Sequence, residues 1–122
     1  HAVQILDLHP GTTGRFHLVF CLQLTRYLGF YPGGHYSPAT PFFDLQDGVF
    51  RSDIPAHPWY IREPLSQYFD ELPGYSLEDT HELLLPSNIR KSLLQFIINY
   101  YQLHLPQGFE VRAHEVLAEL MA

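Results

Sequence analysis

Apolar side chains return at helical spacing along residues 15–28, RFHLVFCLQLTRYL, and again along residues 88–105, NIRKSLLQFIINYYQLHL. In the first stretch Phe16, Val19, Phe20, Leu24, Tyr27 and Leu28 make one stripe, and Leu18 and Leu22 add a second apolar side. A helix apolar round most of its circumference belongs at the centre of a bundle. Thr12 or Thr13 stands where a cap is wanted at its start, and Gly29 with Pro32 closes it. In the second stretch Ile89, Leu93, Phe96, Ile97, Tyr100 and Leu103 line one face, with Leu94, Ile98 and Tyr101 beside it. Ser87 is its expected cap, and Pro106 and Gly108 end it.

Shorter signals fill the rest. Residues 2–9, AVQILDLH, read as the tail of a helix, broken by Pro10, Gly11 and Gly14. Residues 41–50, PFFDLQDGVF, read as two extended arms around Gln46-Asp47-Gly48, since Asp-Gly between apolar runs is a strong hairpin signal. Gly33-Gly34 reads as a turn, and the three prolines in residues 51–65 predict an irregular connector. Leu65, Tyr68, Phe69 and Leu72 mark a short helix stopped by Pro73-Gly74, and Ser76 with Asp79 begins another short turn. Val116, Leu117, Leu120 and Met121 predict a final amphipathic helix. The fold class expected is mainly α, a small helical domain with one short β-hairpin inserted between helices.

Composition narrows the function. The 122 residues suit one compact domain, residues 1–122, and the opening His1 reads as the start of an excised piece. Thirteen acidic residues against seven basic ones give a net charge of −6, which argues against a strong nucleic-acid binder, because phosphate neutralisation needs clustered cations. No apolar run is long enough to span a bilayer. The single cysteine, Cys21, forms no internal disulfide and excludes a four-cysteine zinc site; a reducing compartment suits it.

Catalytic and metal chemistry find little footing. Eight histidines suggest metal, yet neighbours along the chain are never closer than the eight residues from His1 to His9 or from His9 to His17. Structural zinc wants much shorter pairs. Cys21 lies one helical turn after His17, but in the most apolar helix, where a thiol is a small inert hydrophobe. No phosphate-cradling glycine loop, nucleophile elbow or metalloprotease helix is present. A metal-dependent module of His17, Cys21 and loop histidines is thus the weakest alternative, and no metal, cofactor or enzymatic activity is expected.

One stripe carries recognition chemistry. Arg15, Leu18, Leu22 and Arg26 fall on one side of the first long helix, two arginines flanking two leucines. A peptide apolar at its tip and acidic beside it would suit such a surface. From spacing alone, a core helix whose arginines reach outward is the simpler reading.

Taken in order, FHLVFCLQLTRYLGFYP, FFDLQDGVF, RKSLLQFIINYYQLHL and FEVRAHEVLAEL resemble the C-terminal domain of the RecO family of DNA repair and recombination mediators, as found in Bacteroidetes-like bacteria. The resemblance runs from about Ile5 to Leu120 and is sharpest at Leu28–Pro32 and Tyr100–His104. It implies a non-enzymatic, cytoplasmic bacterial protein that gathers at the nucleoid during repair. An N-terminal DNA-binding OB-fold, absent from this chain, precedes the helical domain in the family. It further implies RecR and single-strand-binding protein (SSB) as partners, RecA loading and strand annealing as the activity, and no membrane role. The acidic, apolar-ended SSB tail matches the ligand argued for the stripe, so Arg15, Leu18, Leu22 and Arg26 are the expected partner site. A purely structural scaffold is the alternative.

Two departures qualify the resemblance. Relatives with a four-cysteine zinc knuckle carry it where this chain has only the Phe42–Phe50 hairpin, so metal is not carried over and Phe42, Phe43, Leu45, Val49 and Phe50 are expected to hold the hairpin by burial. Ala113 stands where the family places a serine before the last helix, which costs that helix a cap.

Overall fold

The computed structural model describes residues 5–7, 14–75, 85–105 and 110–112, with side chains over 18–75 and 85–105. Its elements run β1 (Ile5–Asp7), α1 (Gly14–Leu28), β2 (Phe42–Asp44), β3 (Val49–Arg51), β4 (Tyr60–Ile61), α2 (Leu65–Glu71), a 3-10 turn (Leu72–Gly74), α3 (Ser87–His104) and β5 (Glu110–Arg112). The expected final helix, the Ser76–Asp79 turn, the Thr12/Thr13 cap and Ala113 lie outside the described residues.

Among the described residues three α-helices dominate, as the periodicity predicts, and α1 packs on α3. Their shared core joins Leu18, Val19, Cys21 and Leu22 of α1 to Leu93, Leu94, Ile97, Ile98, Tyr100 and Tyr101 of α3. The Tyr101 hydroxyl donates to the Cys21 carbonyl at 2.6 Å, which lets a tyrosine sit wholly inside without an orphaned polar atom. Burial of the expected α1 stripe is uneven: Val19 is fully enclosed with the leucines of the second side and Phe20 and Leu24 are half-buried, but Tyr27 is 84% exposed and Leu28 40%. A helix apolar on most sides gives periodicity no means of choosing its inner face. Gly29 ends α1 at φ +96°, and the amides of Gly29 and Phe30 both donate to the Thr25 carbonyl.

The insert is larger than a hairpin. β2 and β3 pair antiparallel with Phe43 opposite Phe50, and β4 pairs with the other edge of β2, giving the order β3-β2-β4. The irregular connector expected over 51–65 therefore ends in a strand, because Tyr60–Ile61 finds an unpaired edge that no local signal announces. Gly33, expected in a turn, lies against β3: its amide donates to the Gly48 carbonyl at 2.7 Å, and its carbonyl accepts from the Phe50 amide. Cross-strand partners share a face, so Phe43, Phe50 and Ile61 point together toward the helices. Phe43 sits at the junction, 4.6 Å from the Phe69 ring and 5.6 Å from the Tyr100 ring.

Two further expectations are corrected. Residues 5–7 are strand, not a helix tail, and pair in parallel with 110–112, Ile5 opposite Glu110. Only a partner a hundred residues away can stabilise so short a strand. Ser87 is the first helical residue of α3; Pro86 precedes it and no side chain caps the end.

Candidate partner-binding surface

The four stripe residues are not brought to one surface. Leu18 and Leu22 are 0% exposed and belong to the core between α1 and α3. Arg15 lies in the first turn of α1, outside the residues whose side chains are described. Arg26, in the last turn, is exposed, and its guanidinium lies 4.7 Å above the Tyr31 ring. Tyr31 lies two residues past Gly29, whose positive φ ends α1, and this places the ring under the arginine. Such stacking holds the cation in place while leaving its N–H groups open. No carboxylate stands within ion-pair reach of Arg26 among the described residues.

Beside Tyr31 lies a cleft of about 160 Å³. Phe50 and Phe69 line it, and both rings rest on buried Phe43, so it is set by the core rather than by loops. Tyr31 and Pro73 contribute further apolar surface. The His35 ring and the Asp70 carboxylate, 3.1 Å apart, supply its polar groups. On another side of Tyr31 a shallower hollow reaches Gly48, Val49 and His104.

Two histidines, His57 and His104, serve the fold. His104 Nε2 lies 2.7 Å from the Leu45 carbonyl, and its ring stacks on Phe30, tying α3 to the hairpin. His57 Nδ1 accepts the Trp59 amide at 3.0 Å, which in the neutral ring leaves the proton on Nε2. That nitrogen lies 3.0 Å from Asp44 Oδ1 in a bent contact. Asp44 is fully buried although β-pairing places it on the sheet face away from Phe43, because the 52–58 segment folds over it. Oδ1 accepts the amides of Gln46 and Asp47, each at 2.9 Å, and Oδ2 accepts from Arg51 at 3.1 Å. Burial alone would raise the Asp44 carboxyl, but the Asp47 amide, Arg51 and His57 together outweigh it and hold the group below its usual range. The hairpin is thus fixed by a carboxylate staple as well as by Phe43 and Leu45; Val49 is 40% exposed, and Phe42 and Phe50 only half-buried.

Burial pushes the Cys21 thiol up to about 12, leaving no thiolate for chemistry near neutral pH. Among the described residues no three His, Cys, Asp or Glu side chains gather as metal ligands. Within those same residues no helix is long and apolar enough to cross a membrane.

Comparison with known proteins gives one consistent answer. The profile of the family described as "Recombination protein O C terminal" matches residues 3–113. The chain is 28% identical over 116 residues to the DNA repair protein RecO of Azobacteroides pseudotrichonymphae, covering 95% of this chain and 48% of that protein. To RecO of Phocaeicola vulgatus it is 29% identical, covering 100% and 51%. To RecO of Bacteroides fragilis it is 32% identical, covering 98% and 50%. The chain therefore spans about half the length of the curated relatives it matches. No solved structure matches it.

Proposed function

The chain belongs to the family of RecO C-terminal domains, whose curated members here are named DNA repair proteins, and from that premise we propose that it is the protein-contacting part of a recombination mediator. In this reading it does no bond chemistry. It recruits: the domain grips the acidic tail of SSB and contacts RecR, so that RecA is loaded on SSB-coated single strands and complementary strands anneal. DNA itself is held mainly by an OB-fold in another part of the protein.

The observation that carries the reading is Arg26. In a chain of net charge −6, a partly immobilised guanidinium that stands clear of the described acids is a place for an anion from outside. Of the expected site, Arg15 and Arg26 remain as contacts at the two ends of α1. The buried Leu18 and Leu22 act by holding that helix to α3.

Titration of a labelled SSB C-terminal peptide against the wild type and Arg26→Ala tests this. The variant is expected to bind about tenfold more weakly, the scale of one charge-assisted hydrogen bond. Equal affinity removes Arg26 from the site. Absence of peptide binding by the wild type leaves a scaffold role in its place.

A further inference from the structure

We propose that His57 is a proton-operated latch: protonation of its ring releases the Trp59 amide and resets the exposed Trp59 side chain.

The latch follows from what each ring nitrogen faces. Nε2 is enclosed 3.0 Å from Asp44 Oδ1, whereas Nδ1 accepts the Trp59 amide at 3.0 Å on the exposed side. The neutral ring suits both neighbours, with its proton on Nε2 and its lone pair on Nδ1. An added proton enters at Nδ1, where it meets the N–H of Trp59. Two donors cannot share a hydrogen bond, so the amide turns away to water. On the other side the ring keeps its place, because an imidazolium suits a carboxylate better than a neutral ring does. One proton thus opens the Trp59 contact and tightens the Asp44 contact.

The motion has a defined extent. The Trp59 carbonyl accepts from the Leu45 amide at 2.9 Å, so β4 stays on β2 while the peptide between Pro58 and Trp59 turns. That turn also draws the Pro58 carbonyl from the Tyr60 amide, 3.1 Å away, so it is felt on both sides of Trp59. Trp59 is 43% exposed, and a surface tryptophan is the kind of side chain that anchors protein contacts. A latch beneath it makes such contacts depend on proton concentration.

Other charges near the ring stay constant. Asp44 faces it from β2, and Arg51 of β3 holds the same carboxylate at 3.1 Å. Asp47 and Asp53 lie 3.9 and 3.4 Å from Arg51, and Tyr60 of β4 stands opposite Asp44 with Arg62 over its ring. Asp44 is held below the usual carboxylate range and Arg51 above its own, so both remain ionised near neutral pH. Of these side-chain types, histidine alone changes charge between about pH 5 and 8.

Trp59 is the only tryptophan, so its emission in the whole chain reads the latch. From about pH 8 to about pH 5, quenching by acrylamide is expected to rise about twofold along a one-proton curve, with circular dichroism unchanged. His57→Asn sets a carbonyl oxygen near the place of Nδ1 and takes no proton, so it should keep the high-pH signal throughout. His57→Ala removes the acceptor and should show the low-pH signal throughout. His35→Asn should titrate like the wild type, since His35 faces Asp70 instead. If His57→Ala fails to fold, amide exchange in the wild type carries the test: protection of the Trp59 N–H should fall about tenfold across the same range. A flat wild-type signal overturns the latch, as does a transition that survives in His57→Asn. Unchanged protection of the Trp59 amide overturns it too.

Discussion

Asp44 shows how one residue can change role once the chain is folded. In FFDLQDGVF it is an acid among aromatics, and strand alternation puts it on the sheet face opposite Phe43. Burial of that face comes from the 52–58 segment, which brings His57 over it, while Arg51 arrives from the neighbouring strand. Since its folded carboxyl is held low, Asp44 contributes stability that is fully present above the ordinary carboxylate range, near about pH 4, and is lost as pH falls through the lower folded value. Asp44→Asn is therefore expected to cost about 2–3 kcal/mol at neutral pH and to flatten the loss of stability between about pH 5 and pH 2. Urea unfolding across that range measures both. An Asn variant that tracks the wild-type acid curve would assign the sensitivity to other groups.

Among the elements, the hairpin and α3 are built as a pair. Gly48 turns the hairpin at φ +72°, and a Cβ there would stand 3.1 Å from the Tyr100 hydroxyl. That hydroxyl donates to the Phe30 carbonyl, and His104 one turn later reaches Leu45, so α3 grips both ends of the connection. Gly48→Ala is expected to lose about 1–2 kcal/mol from the left-handed backbone alone, with more from the contact. Combined with Tyr100→Phe it should lose less than the sum of the single variants, since removing the hydroxyl relieves the crowding; thermal unfolding of the four proteins gives the coupling. Strictly additive losses would show that backbone conformation, not the tyrosine, governs the turn. The Asp-Gly signal was visible in the sequence. Its dependence on a tyrosine fifty-two residues on was not.

For the whole molecule, charge sets the expectation. The net charge of −6 is spread over a chain with one lysine and six arginines, and Arg51 is already committed to Asp44 and Asp53. Binding of single-stranded DNA by this chain alone is expected to be weak and to change little with salt, because few counterions are released. Affinity measured from low to moderate salt checks this; a steep slope would reveal a basic surface assembled from residues scattered in the sequence.

Sequence by itself determined the helices α1, α2 and α3, the hairpin turn and the family. Each depends on local spacing, on turn chemistry or on an ordered set of segments, and these survive without knowledge of what touches what. Tertiary structure alone decided which face of α1 is inside, that Tyr60–Ile61 and Ile5–Asp7 are strands, and that Asp44 is enclosed. It also decided that Arg26 and Tyr31 are exposed while Leu18 and Leu22 are enclosed. The physical reason is common to all four. A helix apolar on two sides, a two- or three-residue strand and a lone acid in a sheet have no strong preference of their own, so the partner that folding supplies settles each one.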